Sequence, residues 1–168
     1  MVTGDELRAA MGKYPTGVTV VTTLKGDGSV GAMTANSVTS ISLEPPLALL
    51  SVGHTHNTLA YIRQSGRFAI NVLRGDYVHV AEYFATDEQD RKGEPPVEYS
   101  FTGRGMPRVD GCLSFVDCDV VDAHEHGDHT VFVGRVMDTH TGSGSPLVFF
   151  EGRYLDLPGS RESDGESG

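Results

Sequence analysis

Three short stretches of this chain carry residue types that can do chemistry. From Thr34 to Ser42 the chain sets out Thr34, Asn36, Ser37, Thr39, Ser40 and Ser42, with no charge before Glu44. Small hydroxyls and an amide on a buried edge let a flat ligand approach the backbone and meet donors and acceptors at its polar rim. The same row also suits an ordinary strand whose hydroxyls bond to nearby main chain, and the residues alone leave both readings open. A second stretch, HEHGDH, groups His124, His126 and His129 around Asp128. Two imidazoles one residue apart on a strand share a face, as zinc and iron sites use, but no further ligand stands at a recognisable spacing. Exposed histidines at a polar hairpin tip are the plainer reading. The third stretch, GDGSVG, spells Gly-x-Gly-x-x-Gly at Gly26, Gly28 and Gly31. A dinucleotide fingerprint must open a helix, whereas β-branched and hydroxyl residues follow here, so these glycines read as hairpin residues. Nucleophilic catalysis has little support, because no Ser sits in a Gly-x-Ser-x-Gly elbow.

The elements that must position these stretches are mostly strands. GVTVVTTL is Val- and Thr-rich and reads as a strand, and KGDGSVG as the turn after it. The hydroxyl row returns as strand and loop until Pro45 and Pro46 stop it. LALLSV is nearly all apolar and reads as a strand buried on both faces. Asp5 to Tyr14 reads as a short amphipathic helix with Leu7, Ala10 and Met11 on one side. HTHNTLAYIRQSG reads as a second helix, capped by Thr55 or Asn57, with Leu59 and Ile62 inward and Gly66 at its end. FAINVL is a strand, and DYVHVAEYFA a helix with Asp76 as N-cap. Residues 86–111 are polar and rich in Gly and Pro, and read as a long surface loop. CLSFVDCDVVDAH and TVFVGRVMD are strands joined by EHGDH, and PLVFFEGRYLDL is a last strand. About seven strands against two or three short helices favour a β-barrel. Residues 1–157 make a single domain, and 158–168, rich in Ser, Gly and Glu, a disordered tail.

Composition narrows the function classes. With 168 residues the chain is long enough for one hydrophobic core. A net charge of −10 disfavours a nucleic-acid binder, whose affinity rests on Lys and Arg. No apolar run is long enough for a membrane helix and the N-terminus lacks a signal core, so a cytoplasmic protein is expected. Cys112 and Cys118, placed on one strand, would stand about 20 Å apart, too far for a disulfide.

Four blocks carry a resemblance: TANSVTSISLEPPLALLSV, NTLAYIRQSGRFAINVL, GDHTVFVGRV and PLVFFEGRY. In this order and spacing they resemble the short-chain flavin reductases, the reductase components of two-component flavin-dependent monooxygenases. The match runs from about Gly17 to Tyr154. It implies a split β-barrel of Greek-key type, mainly β with short helices, that binds FMN or FAD and works as a homodimer. It also implies hydride transfer from NADH or NADPH to the flavin, with reduced flavin diffusing to a separate monooxygenase. By resemblance, Thr34, Ala35, Asn36 and Ser37 line the flavin, Ser51 and Val52 its pyrimidine side, and His56, Asn57 and Thr58 its phosphate. Gly127, Asp128 and His129 fall at the nicotinamide site, with His129 positioning the nucleotide, and Tyr154 falls near the same pocket. No metal is implied. His54 and His56 depart from the Ser that relatives often carry. A flavin-bound enzyme acting directly on an organic substrate, and a flavin-binding module without turnover, remain alternatives.

Overall fold

The computed structural model describes residues 1–157; the tail expected at 158–168 lies outside them. In chain order the elements are α1 (Gly4–Met11), β1 (Thr16–Gly17), β2 (Thr19–Leu24), β3 (Val30–Ala35), β4 (Val38–Leu43), β5 (Pro46–Gly53), α2 (Thr58–Ser65) and β6 (Arg67–Val72). They continue with α3 (Val78–Ala85), β7 (Tyr99–Phe101), β8 (Pro107–Val109), β9 (Ser114–His126), β10 (His129–Thr141), β11 (Leu147–Phe150) and β12 (Arg153–Asp156).

Seven strands form one antiparallel sheet in the order β3-β2-β6-β9-β10-β5-β4. Its two edges, β3 and β4, are consecutive in the chain and separated only by Asn36 and Ser37. Three peptide steps span about 11 Å at most. The sheet must therefore roll until its edges nearly meet, which makes a barrel left open at one seam. Asn36 and Ser37 sit on that seam, and β1, β11 and β12 form a small sheet of their own.

Both faces of β2 are buried, which is why TVVTTL carries no charge. Val21 joins a core with Leu50, Val52, Phe68, Ile70 and Phe132, into which α2 sets Leu59 and Ile62. Val20 joins a second core with Leu73 and Phe115, closed by Val80, Ala81 and Phe84 of α3 and by Met106 and Val109.

Several expectations from the sequence need correction. Residues 86–111 are not a surface loop throughout. They hold a 3-10 turn at Glu88–Asp90 and the β7–β8 hairpin. Asn71 binds that hairpin to the barrel, accepting from Val109 N at 2.8 Å, while Thr22 Oγ1 donates to Pro107 O at 2.6 Å. PLVFFEGRYLDL is two strands, because Glu151 and Gly152 both take positive φ and turn the chain back. Strand β5 alternates, with Ala48, Leu50 and Val52 buried and the residues between them partly exposed. Helix α1 has no buried residue, and Leu7 and Met11 face solvent. Asp76 does not cap α3. It lies in a 3-10 turn, Gly75–Tyr77, and pairs with Arg74. Asn57 occupies the N-cap position of α2 but makes no capping bond. Cys112 lies in the turn before β9, so only Cys118 is on the strand; both thiols are buried and free. Gly66 ends α2 in the left-handed conformation, as expected. Among the described residues, no helix is long and apolar enough to cross a membrane.

Candidate functional site

At the seam, most hydroxyls of the polar row are already engaged with the scaffold. Thr34 Oγ1 donates to Ala81 O of α3 at 2.7 Å. Ser37 Oγ donates to Ser51 O at 2.7 Å, and Ser51 N donates to Ser37 O at 3.0 Å, so β4 and β5 are joined where the seam begins. Asn36 is exposed and its Nδ2 donates to Thr16 Oγ1 at 3.2 Å. Ala35 and Val52 are buried in core, where Ala35 O accepts from Thr19 Oγ1 at 2.6 Å and Val52 pairs with Thr130 of β10. Tyr154 and Phe149 are cross-strand neighbours with ring centroids 5.4 Å apart. Together with Thr34, Ala35 and Asn36 they line one cleft. Burial, with a smaller contribution from Glu82, pushes the Tyr154 hydroxyl up.

A second cleft lies at the start of α2. His56, Asn57 and Thr58 line it from one side, Met33 of β3 from another, and residues Thr86 to Arg91 close it. Leu59 N and Ala60 N at the start of α2 donate to His56 O and Asn57 O at 3.1 and 3.0 Å, which leaves the N–H groups of Asn57 and Thr58 to favour an anion. Arg91 lines the same cleft. Its Nη2 donates to Ala32 O at 2.8 Å and its Nε to Thr86 O at 2.9 Å, and the guanidinium lies 5.1 Å from the Phe84 ring centre. Sequence reasoning missed Arg91 and the whole segment from Thr86. The signal available was one cation closing an acidic run, DEQDR, and only tertiary packing brings it to α2.

The β9–β10 hairpin turns at Gly127 and Asp128. Asp128 Oδ1 meets His129 Nδ1 at 2.7 Å, and this hydrogen bond holds the Asp128 carboxyl below the usual carboxylate range. His129 pairs in register with Gly53 of β5. A Cβ at Gly53 would stand 3.3 Å from His56 Cδ2 and 3.6 Å from His129 Nε2. The glycine thus leaves room for two imidazoles to close in on the point where a side chain would stand. In this way β5 links the three groups of residues, with Ser51 at the seam and Gly53 between the α2 cleft and the hairpin tip.

The metal reading does not assemble. His124 turns to Asp122, Nε2 to Oδ2 2.9 Å, and that bond lowers the Asp122 carboxyl. Among the described residues, no group of three or more His, Cys, Asp or Glu is placed to hold a metal ion. The glycines Gly26 and Gly28 lie in the β2–β3 connection and Gly31 on β3, where no helix follows.

The donors present fit a planar, phosphate-bearing cofactor. A cation and the Asn57 and Thr58 N–H groups stand beyond the Gly53 end of β5, and short polar groups stand at the seam beside Ser51. Comparison with known proteins agrees. A family model described as a flavin reductase like domain matches residues 11–158. An NADH-dependent flavin reductase of Rhodococcus sp is 41% identical over 160 residues, covering 93% of this chain and 88% of that protein. The solved structure of flavin reductase PheA2 superposes with a TM-score of 0.85 at 38% identity, covering 93% of this chain and 99% of that one. That of BorF, the flavin reductase component of a bacterial two-component tryptophan halogenase, gives 0.84 at 35% identity, covering 94% and 100%.

Proposed function

The chain belongs to the flavin reductase like family, and from that premise we propose that it reduces free FMN or FAD with NADH, or NADPH in its place, and releases the reduced flavin to a separate monooxygenase. The observation that carries this reading is the convergence on β5. The seam at Ser51, the α2 cleft and the Asp128–His129 pair all adjoin one strand over Ser51–Gly53.

Each group then has a role. Arg91 and the N–H groups of Asn57 and Thr58, with His56 beside them, would hold the flavin phosphate. Asn36, Ser37 and Ser51, with the hydroxyl of Thr34 beside the buried Ala35 and Val52, would face the polar rim of the ring. The bound flavin supplies the hydride-accepting chemistry that side chains lack. The chain's contribution is orientation, since holding two reactants in contact removes much of the entropic barrier. Asp128 fixes the ring of His129. In the neutral ring, Nδ1 donating to that carboxylate leaves Nε2 as an acceptor near Gly53. It would receive the carboxamide N–H of the nicotinamide and set the nucleotide against the flavin site. The turn at Gly127 would keep the hairpin tip clear of that approach. Tyr154 and Phe149 give the Asn36 side an aromatic wall.

In this proposal residues 1–157 act as one cytoplasmic domain and two copies associate. The apolar side chains that α1 and β12 leave in solvent, Leu7, Met11 and Leu155, support that association. The test is NADH oxidation in air by dialysed protein, with FMN, FAD or riboflavin added in turn. Turnover that saturates with added flavin supports the proposal. Flavin binding without NADH oxidation would leave a binding module, and retained yellow colour with weak free-flavin turnover a flavin-bound oxidoreductase.

A further inference from the structure

We infer that Asp87 makes the phosphate end of the α2 cleft selective for a flavin carrying one phosphate, FMN, over one carrying two, FAD. The inference rests on the flavin-reductase reading above. Residues 86–91 form a strap fastened at two points. Arg91 fastens its end to the main chain of β3 and to Thr86 just beyond α3. Glu88 fastens its middle, pairing with Lys25 and accepting from Tyr61 Oη of α2 at 3.0 Å. Held so, the strap sets Asp87 across the cleft from His56 and the start of α2.

The charges along the strap are unequally matched. Glu88 has Lys25. Arg91 is the cation of the cleft. Among the described residues, the basic side chain paired with Asp87 is the His56 ring, whose Nδ1 stands 3.9 Å from Oδ1, beyond hydrogen-bond reach. A single phosphate at the start of α2 meets Arg91 and the N–H groups of Asn57 and Thr58. A diphosphate must fit a second anionic group beside the same cleft, whose lining includes the Asp87 carboxylate. Like charges at a part-exposed site repel only modestly, so the discrimination is roughly fivefold and weakens with salt.

The test compares apparent KM for FMN, FAD and riboflavin at saturating NADH, in the wild type, Asp87→Asn and Asp87→Lys. The expected wild-type KM for FAD is roughly fivefold above that for FMN. The ratio falls toward one in Asp87→Asn and below one in Asp87→Lys. It also shrinks with added sodium chloride. FAD used as well as FMN by the wild type overturns the inference, and so does a ratio that neither substitution moves. Absence of NADH oxidation with every flavin is a different result, because it removes the flavin-reductase reading itself.

Discussion

Replacing Arg91 with Ala weakens the binding of phosphorylated flavin, and the size follows from its contacts. The guanidinium makes two well-formed bonds, to Ala32 O at 2.8 Å and Thr86 O at 2.9 Å. A third approach, to Phe84 O at 3.4 Å, is too long to count for much. A bond from a charged donor contributes about 1.5–3 kcal/mol, and partial exposure reduces that by roughly half. Two such bonds give about 2 kcal/mol holding the strap against β3. If the strap is lost from the phosphate cleft to that extent, affinity for a phosphorylated flavin drops roughly thirtyfold. Loss of the cation facing the phosphate adds to this. The assay is quenching of flavin fluorescence on titration with protein, run for FMN and for riboflavin. FMN affinity should fall by about thirtyfold or more, and riboflavin, which has no phosphate, by less than about threefold. Arg91→Lys should fall between, because an ammonium cannot reproduce the two-pronged contact. An Arg91→Ala protein that binds FMN within about threefold of wild type refutes the reasoning, as does an equal loss for both flavins.

His129→Ala should raise the KM for NADH by about tenfold or more while the KM for flavin moves little, as steady-state kinetics in each substrate will show. Asn71→Ala should lower unfolding free energy by about 3 kcal/mol in urea denaturation. It leaves the buried Val109 N–H without its acceptor and frees Val20 O, which Asn71 Nδ2 donates to at 2.9 Å. For Glu88, burial opposes ionisation, but bonds from Lys25 and Tyr61 outweigh it and hold the carboxyl below the usual 4.5. A depressed carboxyl stabilises above its unfolded value and loses that contribution as pH falls through the folded one. Glu88→Gln should therefore be less stable than wild type at neutral pH, with the gap closing in acid below the ordinary glutamate range.

The strands were legible in the sequence wherever side-chain chemistry is local. The run TVVTTL reads as a strand and Gly66 as a helix end whatever the rest of the chain does. Burial on both faces, expected at LALLSV, falls instead to TVVTTL, because only the packing of two cores on either side of it decides that. The hairpin tip at Gly127 and Asp128 was legible for the same reason. Arg91 was not, because its meaning lies in carbonyls of Ala32 and Thr86 that only the folded chain brings to it. The β7–β8 hairpin was hidden for a related reason. Its strands are three residues each, and their hold comes from Asn71 and Thr22, far back in the sequence. Thr34 and Ser37 were picked out correctly as small polar groups on an edge, yet their hydroxyls first serve the scaffold. The role of Gly53 also escaped the sequence, since a lone glycine ending a strand carries no sign that two imidazoles close in on it.

The most direct test of the central claim is anaerobic. A trace of dialysed protein is mixed with NADH and a large excess of free FMN, and the loss of the flavin's visible absorbance is followed. If the flavin is a substrate that enters and leaves the site around Gly53, many equivalents of FMN per protein bleach, at a rate that saturates in both NADH and FMN. Bleaching that stops at one equivalent per protein, or does not exceed the rate without protein, contradicts the account.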